Sequence, residues 1–377
     1  MVSRVKRNSQ NLRENLYNVE KPSSIAGEAM LRAETPEEQF KLINAGRRNF
    51  LYNGAMQVWQ RGTSFNNIGG GGAAGYNADR WNATRYASGE NDIGRENATD
   101  LDGFQYCLRS ARGGGDTTTT ARFVSQVLDK KDSYQLAGQF VTFSFYARTG
   151  AGFNGHQLNS MVRYHTDASK EERLYYNNFI SATNQNGHEG VHKDVSTGWK
   201  RYTNTHYIPS NVQQVSVSIN TEQNLIAAVS ADYFEITGCQ LEIGKIATPF
   251  EHRTYGEELA LCQRYYYRIT NNYAVNQNLC MGVVADTDDV FGVMDMPVTM
   301  RVPPSVTASA AASFRVTTIF GSGGSQNCSQ LVLGYDGQAH VTIKARGNGG
   351  GFTAGQAKLI GFNETIGLAY IEFDAEL

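Results

Sequence analysis

The 377-residue chain is short of charge. Asp, Glu, Lys and Arg make up 19% of it, and 36 acids so nearly balance 34 bases that the formal net charge at pH 7 is -2. Neutralising phosphates requires a basic excess, so nucleic acid is excluded as the main partner and only a local basic patch stays open. The 7 prolines, with no G-X-Y or heptad period, exclude a collagen-like or coiled-coil shaft. No apolar run approaches the roughly 18–20 residues that span a bilayer, so no membrane insertion is expected. The basic start from Met1 to Arg7 runs into polar Asn and Gln where a secretory leader needs an apolar core, so export by that route is not expected. The 5 cysteines are odd in number and none stand in C-x-x-C spacing. That removes zinc-knuckle and redox motifs and suits thiols kept reduced in a cytoplasm.

What is abundant is glycine, at 39, and aromatic rings, with 20 Tyr and 18 Phe. Rings suit pleated surfaces and Gly supplies turns, so a mainly β chain is expected, of two or three domains at roughly 150 residues each. Residues 1–46 differ from the rest. Thr35-Pro36-Glu37-Glu38 is a helix start with a capping box, Phe40, Leu42 and Ile43 share an apolar face, and Gly46 can end the helix. Asn8 to Ala33 holds too few large apolar residues to fold alone. This arm is disordered or ordered on a partner; the partner is preferred, with Phe40, Leu42 and Ile43 as docking or trimer contacts.

From residue 47 to 253 short alternating strands recur between Gly/Asn/Ser turns, as in Val141-Thr142-Phe143-Ser144-Phe145-Tyr146-Ala147, Val215-Ser216-Val217-Ser218-Ile219 and Phe234-Glu235-Ile236. The pattern indicates a jelly-roll β-sandwich. A second capping box, Thr254-Tyr255-Gly256-Glu257, opens a connector helix expected over 254–272, and residues 273–377 return to strands as a smaller C-terminal β-domain.

Four motifs carry chemistry by letter alone. His188-Glu189-Gly190-Val191-His192 matches H-E-x-x-H, but Gly187 and Gly190 discourage the helix a zinc site needs, and a solvated loop is preferred. Gly70 to Gly75 satisfies G-x-G-x-x-G without a following helix, so it reads as a loop. Asp286-Thr287-Asp288-Asp289 lacks calcium-loop spacing and reads as a polar turn. Glu235 and Glu242 are the acids a glycosidase reading would need; a strand exterior or a structural cation site suits them better.

Further strings are Asn49 to Phe65 (NFLYNGAMQVWQRGTSF), Ala78-Asp79-Arg80-Trp81, Val141 to Arg148, Gly198-Trp199-Lys200-Arg201-Tyr202, Gln240-Leu241-Glu242 with Ala247-Thr248-Pro249-Phe250-Glu251, Gly256 to Tyr266, Met300-Arg301, Thr353 to Ala357 and the terminal Phe373-Asp374-Ala375-Glu376-Leu377. Together they resemble a module of tailed-phage and prophage tail-fibre-like proteins. The resemblance covers about residue 47 to the end. It implies a virion surface protein, made in the host cytoplasm, with a carbohydrate-binding-module-like jelly roll. Such proteins are usually trimeric, and their N-terminal portion, here residues 1–46, typically docks to the particle. The function expected on this basis is a homotrimeric short tail fibre or similar appendage that meets tail or capsid proteins through residues 1–46 and binds host cell-surface polysaccharide without catalysis. A capsid decoration or tail adaptor without a glycan ligand is the alternative, and a polysaccharide depolymerase a weaker one. The resemblance also leaves a structural calcium open, with no ligand set, since Ala55 replaces the usual acid after Asn53-Gly54.

For glycan contact, Tyr175, Tyr176 and the loop from Gly150 to His156 are candidates by expected exposure and polarity. Trp59, Trp81 and Trp199 are candidates as stacking rings, although a core role is preferred for them because buried aromatics dominate core energetics.

Overall fold

Side chains that alternate in sequence alternate across a sheet, and most of this chain is built that way. The computed structural model describes residues 47–66, 75–85, 91–113, 116, 121–153, 157–172, 180–181, 190–192, 194–221, 229, 231–271, 277–318, 324–334, 337–363 and 369–376. Residues 49–377 form one unit, and the arm with Phe40, Leu42 and Ile43 lies outside the described residues.

The strands of the sandwich are β1 (Ser64–Phe65), β2 (Gly75–Tyr76), β3 (Asn82–Arg85), β4 (Asp92–Asn97), β5 (Tyr106–Ala111), β6 (Arg122–Val127), β7 (Phe140–Thr149), β8 (Leu158–His165), β9 (Ile180–Ser181), β10 (Gly190–His192), β11 (Lys200–Tyr207), β12 (Gln214–Thr221) and β13 (Tyr233–Ile243), with the short helix α1 (Lys130–Ser133) after β6. One sheet has six strands in the order β1-β4-β5-β13-β7-β11; the other has seven, β10-β8-β12-β6-β3-β2 with β9 also on β8. Between them Val141, Phe143, Phe145 and Ala147 of β7 meet Val215, Val217 and Ile219 of β12, with Phe234, Ile236 and Trp81. Each large side chain removed from water contributes about 1.5–3 kcal/mol.

Helix α2 (Tyr255–Gln263) carries the expected capping box of Thr254 and Glu257. It is shorter than the 254–272 expected. After Arg264 the backbone extends into β14 (Tyr266–Thr270), because Tyr266, Tyr267, Ile269 and Thr270 suit a strand and pair with the last strand, β22 (Tyr370–Asp374). Strands β15 (Asn278–Val284), β16 (Asp289–Asp295), β18 (Phe314–Thr318), β19 (Gln326–Gly334), β20 (His340–Gly347) and β21 (Ala357–Phe362) close a small barrel in the order β15-β16-β20-β19-β18-β21. Strand β17 (Ser305–Ala308) joins β14 and β22 in a three-stranded sheet that shares its core, including Phe314, Phe362 and Phe373.

The tail after β22 clasps the sandwich. Glu376 pairs with Arg80 and, at 3.4 Å, with Arg61, while Arg301 donates to the carbonyls of Ala375 (2.9 Å) and Glu376 (3.0 Å).

Candidate functional site

The two outer faces of the sandwich carry polar side chains at alternate positions, as the strand period requires. On the six-stranded sheet the two buried acids are answered, although Arg201 Nε is left there without a partner. Glu235 of β13, fully buried, accepts from Arg109 Nε (2.8 Å) and Arg148 Nε (2.5 Å). Glu242 accepts from Thr248 N (2.9 Å), Thr248 Oγ1 (2.6 Å) and Gln240 Nε2 (2.9 Å). Phe104, Tyr146, Phe250 and His252 cluster over this face with ring centroids 4.9–5.4 Å apart. Gly238, at φ +60°, admits them; a Cβ there would lie 2.8 Å from the Phe104 and Tyr146 rings. Both acids therefore sit on a strand exterior as structural groups. Neither stands as a free acid or base.

The seven-stranded sheet is different. Its strand register aligns Asn82 (β3), Ser125 (β6), Ser218 (β12) and Met161 (β8) in one row across four strands. The adjacent rows bring Thr84, Phe123, Asn220 and Asn159 on one side and Val127, Ser216 and Arg163 on the other. Ser125 Oγ donates to Asn82 Oδ1 (2.8 Å), and Asn220 Nδ2 donates to the Thr221 carbonyl (2.9 Å). The remaining valences are unmet: Asn82 Nδ2, Thr84 Oγ1, Ser216 Oγ, Ser218 Oγ and Asn220 Oδ1 are buried without a partner. Buried polar groups are nearly always hydrogen-bonded, and each orphan costs about 1–3 kcal/mol. Five on one sheet face are a feature to be explained. At the end of this face Gln214 is fully engaged, by His165 Nε2 (2.7 Å), Glu172 N (2.6 Å) and the Leu128 carbonyl (3.0 Å).

Hydroxyls that donate or accept, an amide donor and an amide oxygen in neighbouring rows can meet the vicinal hydroxyls of a sugar. Among the described residues, no carboxylate stands on the outward side of β3, β6, β8 or β12. All five atoms are buried in this structure.

Two of the tryptophans are core residues. Trp81, in a turn where Arg80 adopts φ +69°, is fully buried and its Nε1 donates to the carbonyls of Tyr52 and Asn53, both at 3.2 Å. Trp59 is buried, donates to the Met56 carbonyl (2.7 Å) and packs on Phe65. Neither presents a ring to a sugar, which corrects their place among the glycan contacts. Trp199 is half-buried on the six-stranded side, its Nε1 on the Thr99 carbonyl (2.8 Å) and the Arg148 guanidinium 4.7 Å above its ring. Tyr175, Tyr176 and His156 lie outside the described residues.

Of the H-E-x-x-H string, His188 and Glu189 lie outside the described residues, and the loop reading is corrected for its last three residues. Residues 190–192 are an edge strand, and His192 turns inward instead of lying in a solvated loop. Its Nε2 meets Ser160 Oγ at 2.9 Å, between the rings of Phe145 and Tyr202, and burial pushes its pKa down to about 4. Asp286 closes a turn by accepting from the amides of Asp288 and Asp289, both at 2.8 Å. As for a cation, no cluster of three or more His, Cys, Asp or Glu occurs among the described residues. In the Asn49–Asn53 segment, oxygens of the kind a hard cation takes converge on a guanidinium. Arg253 Nη1 donates to the Leu51 carbonyl (3.1 Å) and Nη2 to the Asn49 carbonyl, with Glu258 at 3.3 Å and Glu251 at 3.4 Å.

No family model and no curated protein matches the chain. Solved structures similar to it include the C-terminal family 22 carbohydrate-binding module of Clostridium thermocellum Xyn10B, with 15% identity over 45% of this chain and 89% of that one, at a TM-score of 0.28. A second is TmCBM61 in complex with β-1,4-galactotriose, with 12% identity over 52% of this chain and 100% of that one, at 0.28. A third is the enzymatically active domain of tailspike protein 4 from Bacteriophage CBA120, with 12% identity over 52% of this chain but only 21% of that one, at 0.30. These are distant likenesses in β architecture.

Proposed function

We propose that the chain is a non-catalytic glycan-binding protein of a phage virion, forming a short trimeric tail fibre or similar appendage that contacts host cell-surface polysaccharide. It is made in the host cytoplasm, joins the particle through residues 1–46 and is displayed on the particle surface. The observation that carries the binding function is the set of unpartnered buried groups at Asn82, Thr84, Ser216, Ser218 and Asn220. The virion setting rests on the sequence resemblance from residue 47 onward. Binding at one such face is weak, and three linked copies raise avidity by about 10²–10⁴.

The test is an array of host-derived polysaccharides probed with the purified full-length chain. Retention of at least one polysaccharide is expected, lost when Ser216 and Ser218 are both changed to Asn, which fills the face. A chain that binds none of them is an adaptor or decoration instead. Shortening of the bound polysaccharide during incubation would mean a depolymerase. Phage made with residues 1–46 deleted are expected to lack the protein; its presence on such particles would refute the docking role of the arm.

A further inference from the structure

Charges taken out of water are tolerated only where opposite charges and hydrogen bonds answer them. Where the sandwich meets the tail after β22, two guanidiniums, Arg80 fully buried and Arg61 nearly so, face three carboxylates, Asp79, Asp374 and Glu376. Arg80 is spent on Glu376 and on the Val127 carbonyl (2.7 Å), with the Tyr265 ring centre 3.7 Å away. Arg61, stacked 3.5 Å from the Tyr266 ring centre, is shared. Its Nη2 reaches Glu376 (3.4 Å) and Asp374 (3.5 Å). Its Nη1 stands 3.9 Å from Asp79, beyond hydrogen-bond range, and is buried without a partner.

Asp79 is thus a buried carboxylate that no cation touches directly. It accepts from Gln60 N (3.0 Å) and Gln60 Nε2 (2.5 Å), and the same Nε2 donates to the Tyr266 carbonyl of β14 (2.7 Å), which ties Asp79 to the C-terminal sheet. Glu376 repels it from the tail, and the nearby Cys262 thiol of α2, kept neutral by burial, adds no charge. Burial accordingly pushes the Asp79 pKa up to about 6, with Arg61 and Gln60 only partly opposing it. Opening the junction returns Asp79 to water and to its ordinary value of 3.8. The closed junction therefore holds the proton more tightly than the open one, and protonation favours closing.

We propose that this junction is a proton-operated clasp: mild acid neutralises Asp79, leaves Arg61 wholly to Glu376 and Asp374, and tightens the hold of the tail on the sandwich. Amide hydrogen exchange on the full chain tests it, read by mass spectrometry on peptides covering residues 369–376 and corrected for the intrinsic exchange rate at each pH. Protection is expected to be about tenfold greater at pH 5 than at pH 7, a window that stays above ordinary carboxylate values. His192 lies in the sandwich and enters global unfolding, so its opposite pH dependence does not bear on this local opening. Asp79→Asn, neutral at both pH values, is expected to abolish the difference. Glu376→Gln is expected to lower protection at both. Equal protection of the wild type at the two pH values, weaker protection at pH 5, or a tenfold ratio that persists in Asp79→Asn overturns the clasp. The Asp79 carboxyl resonance of the wild-type chain gives a check that needs no variant: a titration midpoint near 6 is expected, and one of about 4 overturns the clasp. Both measurements are made without any glycan, so their failure and a failure of glycan binding are separate results.

Discussion

The two outer faces of the sandwich are equally polar in sequence and opposite in state. On the six-stranded face Glu235 and Glu242 are met by arginines, a threonine and a glutamine, and aromatic rings close over the sheet. On the seven-stranded face Ser216, Ser218 and Thr84 are as deeply buried but leave their hydroxyls unanswered. Burial of polar groups therefore does not mark a site in this molecule. In the function proposed above it is unmet hydrogen-bonding capacity that does so, because a fully satisfied network has nothing left to offer a ligand.

The sealed face is the one whose loss should hurt most. Glu235→Ala strands two guanidiniums, Arg109 and Arg148, around an emptied buried position. Removing one partner of such a cluster costs about 3–5 kcal/mol, and the partial exposure of Arg109 puts this case near the lower figure. Denaturant unfolding should show that loss, while the affinity of the remaining folded protein for glycan stays at the wild-type value. A large fall in affinity at unchanged stability would reverse the roles assigned to the two faces.

The inner side of the seven-stranded sheet gives a pH-dependent version of the comparison. His192 is held neutral in the fold, with a pKa of about 4 against an ordinary 6.5, by burial beside Phe145 and Tyr202. As pH falls below 6.5 the unfolded chain takes up a proton that the folded chain refuses. Stability should then decline from pH 6.5 to about 4 and level off below, by up to about 3 kcal/mol for this group. His192→Gln should flatten that part of the stability profile. A profile with the same slope in the variant would place the titrating group elsewhere.

How much of this was legible differs between the faces for a physical reason. The strands themselves were readable, since Val141, Phe143 and Phe145 alternate with polar residues and occupy one face as expected. The sealing of Glu235 was not, because Arg109 and Arg148 stand 126 and 87 residues away and only the fold brings them together. The same holds for the clasp between Arg80 and Glu376, whose two strings were each noticed without any sign that they meet. Trp81 and Trp59 remained ambiguous in sequence because an indole serves a core or a sugar equally well; their burial in the sandwich core decides for the core. The unpartnered row did leave a trace. From Gln213 to Thr221 the alternating polar positions are only Gln, Ser, Asn and Thr, with none of the Lys or Glu that usually line a solvated strand face.

That trace leads to the smallest expected change in stability and the most discriminating one. If Ser216 and Ser218 only pack, changing both to Ala removes two buried hydroxyls that have no partners in the free protein. Deleting an unsatisfied buried hydroxyl relieves its desolvation, so the double variant should be unchanged or more stable by roughly 1 kcal/mol. A satisfied network would respond in the opposite direction. If the same hydroxyls meet a glycan, the variant should bind it at least about tenfold more weakly, since a bound sugar hydroxyl then faces a methyl group. Raised stability together with lost affinity is the combination that a purely structural serine cannot produce. Lowered stability would show that hidden partners already satisfy this face, and the two sides of the sandwich would then be alike.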